Sequence, residues 1–163
     1  MRKKICAIGF VFLLLLANTA YAGTPKAGDK APDFSVVSLK GEKLELSALK
    51  GKVVLMGMFH ICVPCMNQAL EFEKVRKELG ADKLQIIGVN THGDSKDDVA
   101  GYLSEFPSPI SFPYYVDSAM SVNKAYVQRD MPTVLIIDKE GVIRLRSPSL
   151  SADQLIPILK KLP

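Results

Sequence analysis

The chain has 163 residues, enough for one domain with a real core and too few for two ordinary ones. Its hydrophobic fraction of 48% and charged fraction of 23% are those of a soluble globular protein. The formal charge of +4 falls to +1 without residues 1–22, which hold Arg2, Lys3 and Lys4 and no acid; a near-neutral domain without a basic run gives no support for nucleic-acid binding.

The N-terminus reads as a secretory signal peptide. Arg2, Lys3 and Lys4 form a basic head, Ile5 to Ala17 an apolar run, and Ala20-Tyr21-Ala22 a small-residue exit. The run is shorter than the roughly 20 residues a spanning helix needs. The alternative is an uncleaved N-terminal anchor, which would be the chain's only contact with a membrane. Residues 1–22 are therefore set apart from a domain over 23–163, and the expected location is exported, periplasmic or otherwise extracytoplasmic. Cys6 precedes the apolar run, the wrong place for a lipidated cysteine, and leaves with the signal. Cys62 and Cys65 remain alone in a compartment where disulfides persist, a closed redox unit.

In the mature chain, Gly23 to Lys30 reads as a leader. Phe34–Val37 and Lys43–Leu46 flank a turn at Lys40-Gly41-Glu42 and predict a strand pair. Ser47 to Gly51 predicts a short helical turn. Val53 to Met58 is an unbroken apolar run, as in a strand buried on both faces. A helix is predicted over Pro64 to Leu79, with Leu70, Val75 and Leu79 on its inner face and Gly80 as its stop. Leu84 to Val89 reads as a second buried strand. Asp94 or Ser95 can cap a helix running toward Phe106, broken by Pro107-Ser108-Pro109.

Val122 to Val127 predicts a short helix and Thr133 to Ile137 a third apolar strand. The turn Asp138-Lys139-Glu140-Gly141 returns into a strand over Val142 to Arg146. Ser151 and Gln154 have capping-box spacing at the head of a last helix, which Pro157 should bend or shift. Buried strands alternating with helices predict an α/β fold, and the closing hairpin makes its sheet mixed.

Cys62-Val63-Pro64-Cys65 falls after a buried strand and at the start of a helix. The first helical turn offers unpaired N–H groups and the positive end of the dipole, which favour a thiolate at Cys62. Cys65 lies nearly one turn on, close enough to close a disulfide with Cys62. In thiol–disulfide exchange the exposed sulfur attacks and the second resolves the mixed disulfide. A purely structural disulfide would join more distant segments. A zinc site would need two further ligands, and the chain has only His60 and His92 to offer. Nothing in the sequence calls for a cofactor or a metal. Pro132, after Met131, belongs at a strand's first residue, where an X–Pro bond can be trans or cis.

The runs Ala31-Pro32-Asp33-Phe34, Leu46 to Leu55, Cys62 to Cys65, Ile86 to Asn90 and Met131 to Gly141 occur in one order. Together they resemble the TlpA/ResA-like branch of the thioredoxin superfamily, with its AhpC/TSA-like domain, over residues 27–162. The resemblance implies a thioredoxin fold: a central mixed sheet flanked by helices, with an N-terminal β-hairpin extension and an insertion after the second sheet strand. It implies that Cys62 is the nucleophile, that Cys65 resolves, and that Pro132 is cis and, with Met131, borders the groove for the partner's chain. Members are usually extracytoplasmic reductants of exported proteins, often serve cytochrome c maturation, and draw electrons from a membrane dithiol carrier.

The chain departs from that pattern in four places. Ile61 and Met58 stand where the family has Trp, Gln68 where ResA-like members have an acid, and Met56 where thioredoxins have a buried Asp. With no carboxylate to take the Cys65 proton, His60 and the Gln68 position become the candidate helpers in proton transfer. Two other functions remain open. A thiol peroxidase shares the fold and the Ala-Pro-x-Phe opening, although Phe59 stands where its Thr or Ser belongs. A metal-delivery protein of related fold would use a three-residue gap between cysteines and a distant His, for which only His92 is available.

Overall fold

The computed structural model describes residues 23–80 and 84–162; the signal-peptide segment lies outside them. Strands β1 (Ser35–Ser38) and β2 (Lys43–Glu45) form the expected hairpin, followed by a 3-10 turn over Leu46–Leu49. Then come β3 (Val53–Phe59), α1 (Val63–Leu79), β4 (Leu84–Asn90) and α2 (Lys96–Ser104). The chain closes with β5 (Tyr114–Val116), α3 (Ser121–Ala125), β6 (Thr133–Ile137), β7 (Ile143–Ser147) and α4 (Ala152–Lys160).

All seven strands join one mixed sheet in the order β2-β1-β5-β4-β3-β6-β7. The middle strands β3, β4 and β5 run parallel, and β6 and β7 return antiparallel on one side. The N-terminal hairpin attaches through β1 to β5 on the other side. This order decides where the chemistry sits. Because β6 opposes β3, it begins where β3 ends, and the register Met58↔Thr133 sets Pro132 beside the residues leading into Cys62.

β5 is the element the sequence reading misses. Tyr114-Tyr115-Val116 is too short to show a period, and all three side chains are buried. The expected inner face of α1 also needs correction. Its buried residues are Cys65, Gln68, Ala69, Phe72, Glu73 and Val75, whereas Leu70 and Leu79 are half-buried at the margin. The helix therefore turns its Cys65 side, not its leucine side, to the sheet. Pro157 does not shift the start of α4. The helix begins at Ala152, where the Gln154 side chain accepts the Ser151 N–H at 3.0 Å, and runs on through the proline.

The two faces of the sheet pack differently. Under α1 lie Phe59, Phe72, Tyr102, Phe106, Phe112 and Tyr114; the other face is mainly aliphatic, with Met56, Met58, Ile87, Val89 and Leu135. Two paired glycines, Gly57 on β3 and Gly88 on β4, make room for the aromatic bed. A Cβ on Gly57 would come within 2.0 Å of the Phe59 ring, and one on Gly88 within 2.6 Å of Tyr114. The two rings stack with centroids 5.9 Å apart in the space a side chain would fill. Among the described residues no helix is long and apolar enough to cross a membrane.

Candidate active site

β3 delivers the chain to the dithiol. Phe59 ends the strand fully buried, His60 and Ile61 make the turn, and Cys62 is the N-cap of α1 with an extended backbone at φ −160° and ψ 155°. Pro64 occupies the first helical turn, where a missing N–H costs nothing. Cys62 is half-exposed and Cys65 buried; both are free cysteines with their sulfurs 2.7 Å apart. One thiol can thus meet a partner while the other waits behind it.

Their surroundings are unequal. Burial, and then the hydrogen bond with Cys62, push the Cys65 thiol up to about 12, against the opposite pull of the His60 backbone N–H, which donates to its sulfur at 3.3 Å. Beneath the motif the Tyr102 hydroxyl donates to the Cys62 carbonyl at 2.7 Å. Burial raises the Tyr102 phenol, which stays protonated.

The Met131–Pro132 bond is cis. Pro132 is buried, Met131 is half-exposed, and both line a groove of about 460 Å³ with Pro64, Asn67, Ser149 and Leu150. The exposed large hydrophobic side chains of the described residues are Ile61, Val63, Met120 and Met131. Ile61 and Val63 flank Cys62, Met131 borders the groove, and Met120 lies over Gly93, next to His92. Exposed apolar surface therefore collects at the end of the sheet that carries the reactive thiol.

The two candidate proton-transfer helpers fare differently. The ring of His60 packs on His92 with centroids 4.4 Å apart, and its Nε2 is buried without a hydrogen-bond partner. Burial first, and then His92, lower its pKa, with Asp94 and Gln128 acting the other way. The imidazole is thus neutral at neutral pH, but it is the His60 backbone that touches Cys65. Gln68 faces away from the sulfurs toward Leu150. Its Nε2 donates to the Leu150 carbonyl and its Oε1 accepts the Leu150 N–H, each at 2.8 Å. It clamps the segment before α4 to α1. Met56 is buried in the aliphatic face and supplies no carboxylate. No group of three or more His, Cys, Asp or Glu among the described residues could hold a metal ion.

The AhpC/TSA family model matches residues 27–146, nearly the whole span from the leader to the end of β7. The chain belongs to the AhpC/TSA family. Within it the chain is a thiol–disulfide oxidoreductase of thioredoxin fold. It is 36% identical over 118 residues to the thioredoxin-like protein YneN of Bacillus subtilis (strain 168), covering 72% of this chain and 68% of that one. It is 30% identical over 142 residues to the thiol-disulfide oxidoreductase ResA of the same strain, covering 85% and 75%. The fold matches the thioredoxin domain of a thiol-disulfide oxidoreductase from Bacteroides vulgatus, with a TM-score of 0.72, 24% identity, and 83% and 96% of the two chains covered. The sequence reading singled out Cys62, Cys65 and Pro132, which the fold brings to one end of the sheet, and did not single out Tyr102, whose hydroxyl reaches the Cys62 carbonyl. A tyrosine in a helix forty residues away carries no local signal of its reach to Cys62.

Proposed function

We propose that this protein is an extracytoplasmic reductant of disulfides in exported proteins, with Cys62 as nucleophile and Cys65 as resolving thiol. The reading rests on one arrangement: a half-exposed Cys62 at a helix N-terminus, a buried Cys65 sulfur 2.7 Å behind it, and a groove lined by Pro64, Met131 and Pro132 alongside. The Cys62 thiolate attacks one sulfur of the partner's disulfide, and the other sulfur leaves as a thiolate. Cys65 then loses its proton and attacks Cys62 Sγ, breaking the mixed disulfide. The partner departs with two thiols, and the chain keeps the Cys62–Cys65 disulfide and is two electrons poorer. A dithiol carrier in the membrane restores it. Residues 1–22 direct export, residues 23–163 form the redox domain, and cytochrome c maturation is the setting the ResA-like resemblance suggests.

The equilibrium reduction potential of the Cys62/Cys65 pair in the mature chain tests the direction. A value near or below about −270 mV, that of thioredoxin, is expected for a reductant. A value near about −120 mV, that of the oxidant DsbA, would overturn the reductive reading. Trapping tests the roles. Cys65→Ser should accumulate a mixed disulfide with a reducible protein such as insulin, and Cys62→Ser should accumulate none.

A further inference from the structure

The chain has no tryptophan, and Ile61, where the resembled family carries one, is 42% exposed. That side chain leaves much of its surface to solvent, where the family's ring would cover the turn. The turn is held from below instead. The Cys62 carbonyl accepts two hydrogen bonds, one from the Met66 N–H at 3.0 Å, which is the first bond of α1, and one from the Tyr102 hydroxyl at 2.7 Å. Tyr102 can deliver that hydroxyl to one place because it is itself confined. It is 8% exposed, stands on α2 outside the β3–α1–β4 unit, and meets Phe106 edge-on with ring centroids 5.0 Å apart.

We infer that Tyr102 is a positioning residue for the nucleophile, anchoring the N-cap backbone of α1 through the Cys62 carbonyl. The inference rests on the assignment of Cys62 as the attacking thiol. Its physical basis is the geometry of the cap. The N–H groups of the first helical turn stabilise a thiolate only while the N-cap residue holds its extended conformation and its sulfur stays over the helix end. The bond from Tyr102 ties that conformation to a buried aromatic pair, a specific anchor that the largely exposed Ile61 and Val63 do not supply. Loss of the hydroxyl leaves the fold in place and lets the cap, and the sulfur on it, wander.

Tyr102→Phe removes the hydroxyl and keeps the ring. Its readout is the rate of Cys62 alkylation by iodoacetamide in the reduced mature chain at pH 7, followed by mass spectrometry of the modified peptide. Alkylation should slow by about fivefold, the factor expected for one hydrogen bond that the reactive conformation needs. Phe106→Leu is the control for a merely structural role, since it loosens the same cluster without touching the bond; it should leave the alkylation rate within about twofold whatever its cost in thermal stability. A Tyr102→Phe variant that alkylates at the wild-type rate would overturn the inference, as would a Phe106→Leu variant slowed to the same degree. Alkylation involves no partner protein, so a failure of the wild-type chain to reduce protein disulfides would sink the functional reading and leave this result to be judged alone.

Discussion

The two ends of the central sheet are built to different standards. At the end away from the dithiol, the Asp138 carboxylate is buried in the β6–β7 turn. It accepts the Glu140 and Val142 N–H groups at 3.0 and 2.8 Å and the Arg144 guanidinium at 2.5 Å. The turn closes with Gly141 donating to the Asp138 carbonyl and Ala31 donating to Gly141. At the dithiol end the His60 Nε2 is buried with no partner, a thiol is held protonated by burial, and large apolar side chains face solvent. Polar satisfaction is stability, and its lack is reactivity. The dithiol end has a satisfied acid of its own, Asp117, whose carboxylate accepts the Ser121, Val122 and Asn123 N–H groups; what sets that end apart is the unpartnered imidazole nitrogen, the protonated thiol and the exposed apolar side chains.

The largest expected effect comes from the aromatic bed under the dithiol. Gly57→Ala drives a methyl group into the Phe59 ring, which is already stacked on Tyr114 and tilted against Phe72. The ring cannot retreat into a packed core, so a loss of about 3 kcal/mol in denaturant unfolding is expected. A loss below about 1 kcal/mol would show that the bed yields more easily than its packing implies.

Asp138→Asn probes the other end. The substitution keeps the shape and removes the charge that Arg144 and two backbone donors satisfy, and about 2 kcal/mol of stability should go with it at pH 7. Burial raises the Asp138 pKa, but the Val142 N–H and Arg144 outweigh it and hold the carboxyl below its ordinary value. A depressed folded-state pKa gives stability that is present above the unfolded value of about 4 and is lost as pH falls through the folded one. The gap between wild type and Asp138→Asn should therefore shrink between pH 5 and pH 2, read by urea midpoints at each pH. A gap constant with pH would remove Asp138 from the account. Disulfide exchange by the folded variant should be unchanged, which is the contrast between the ends in one experiment.

Much of this division was legible in the sequence. Val53 to Met58 and Thr133 to Ile137 declare buried strands by continuous apolar character, and Ser95 and Ser151 announce helix starts by capping chemistry that depends only on neighbours. What escaped depends on side chains reaching across the fold. β5 is too short to have a period, and it is a strand because β1 and β4 flank it. The inner face of α1 follows from its packing on the sheet and on α4, which its own leucines misreport. In the site, Cys62 and Cys65 are local in sequence, and their closeness follows from the spacing. The engagement of Gln68 with Leu150 and of Tyr102 with Cys62 spans 82 and 40 residues, and no spacing rule reaches that far.

Gln68→Ala sharpens the account of that missed clamp. It strands the Leu150 N–H and carbonyl beside the groove, and because water can reach them the cost should be about 1 kcal/mol. If Gln68 served proton transfer, its loss would slow release of the partner from the mixed disulfide. If it only clamps, stopped-flow release should change by less than about twofold. A larger slowing at unchanged stability would return it to the mechanism.

The smallest expected effect on stability, and the most telling for mechanism, is at His60. His60→Gln keeps the backbone N–H on Cys65 and removes the imidazole, so the two ways this residue could assist are separated in one substitution. Burial and His92 keep the ring neutral, and a neutral imidazole with an unpartnered Nε2 is competent to take a proton. Were the ring the acceptor, the variant would resolve its mixed disulfide about tenfold more slowly at pH 7. The deficit would close as pH rises and hydroxide deprotonates Cys65 directly. The geometry favours the other outcome. The contact with the sulfur is made by main chain, and the ring is turned toward His92, so resolution in His60→Gln should stay within about threefold of wild type from pH 6 to pH 9. That result would assign the help given to Cys65 to a backbone donor, which asks only that the turn after β3 be held still. A tenfold, pH-dependent loss would instead put an imidazole in the place of the carboxylates missing at Met56 and Gln68.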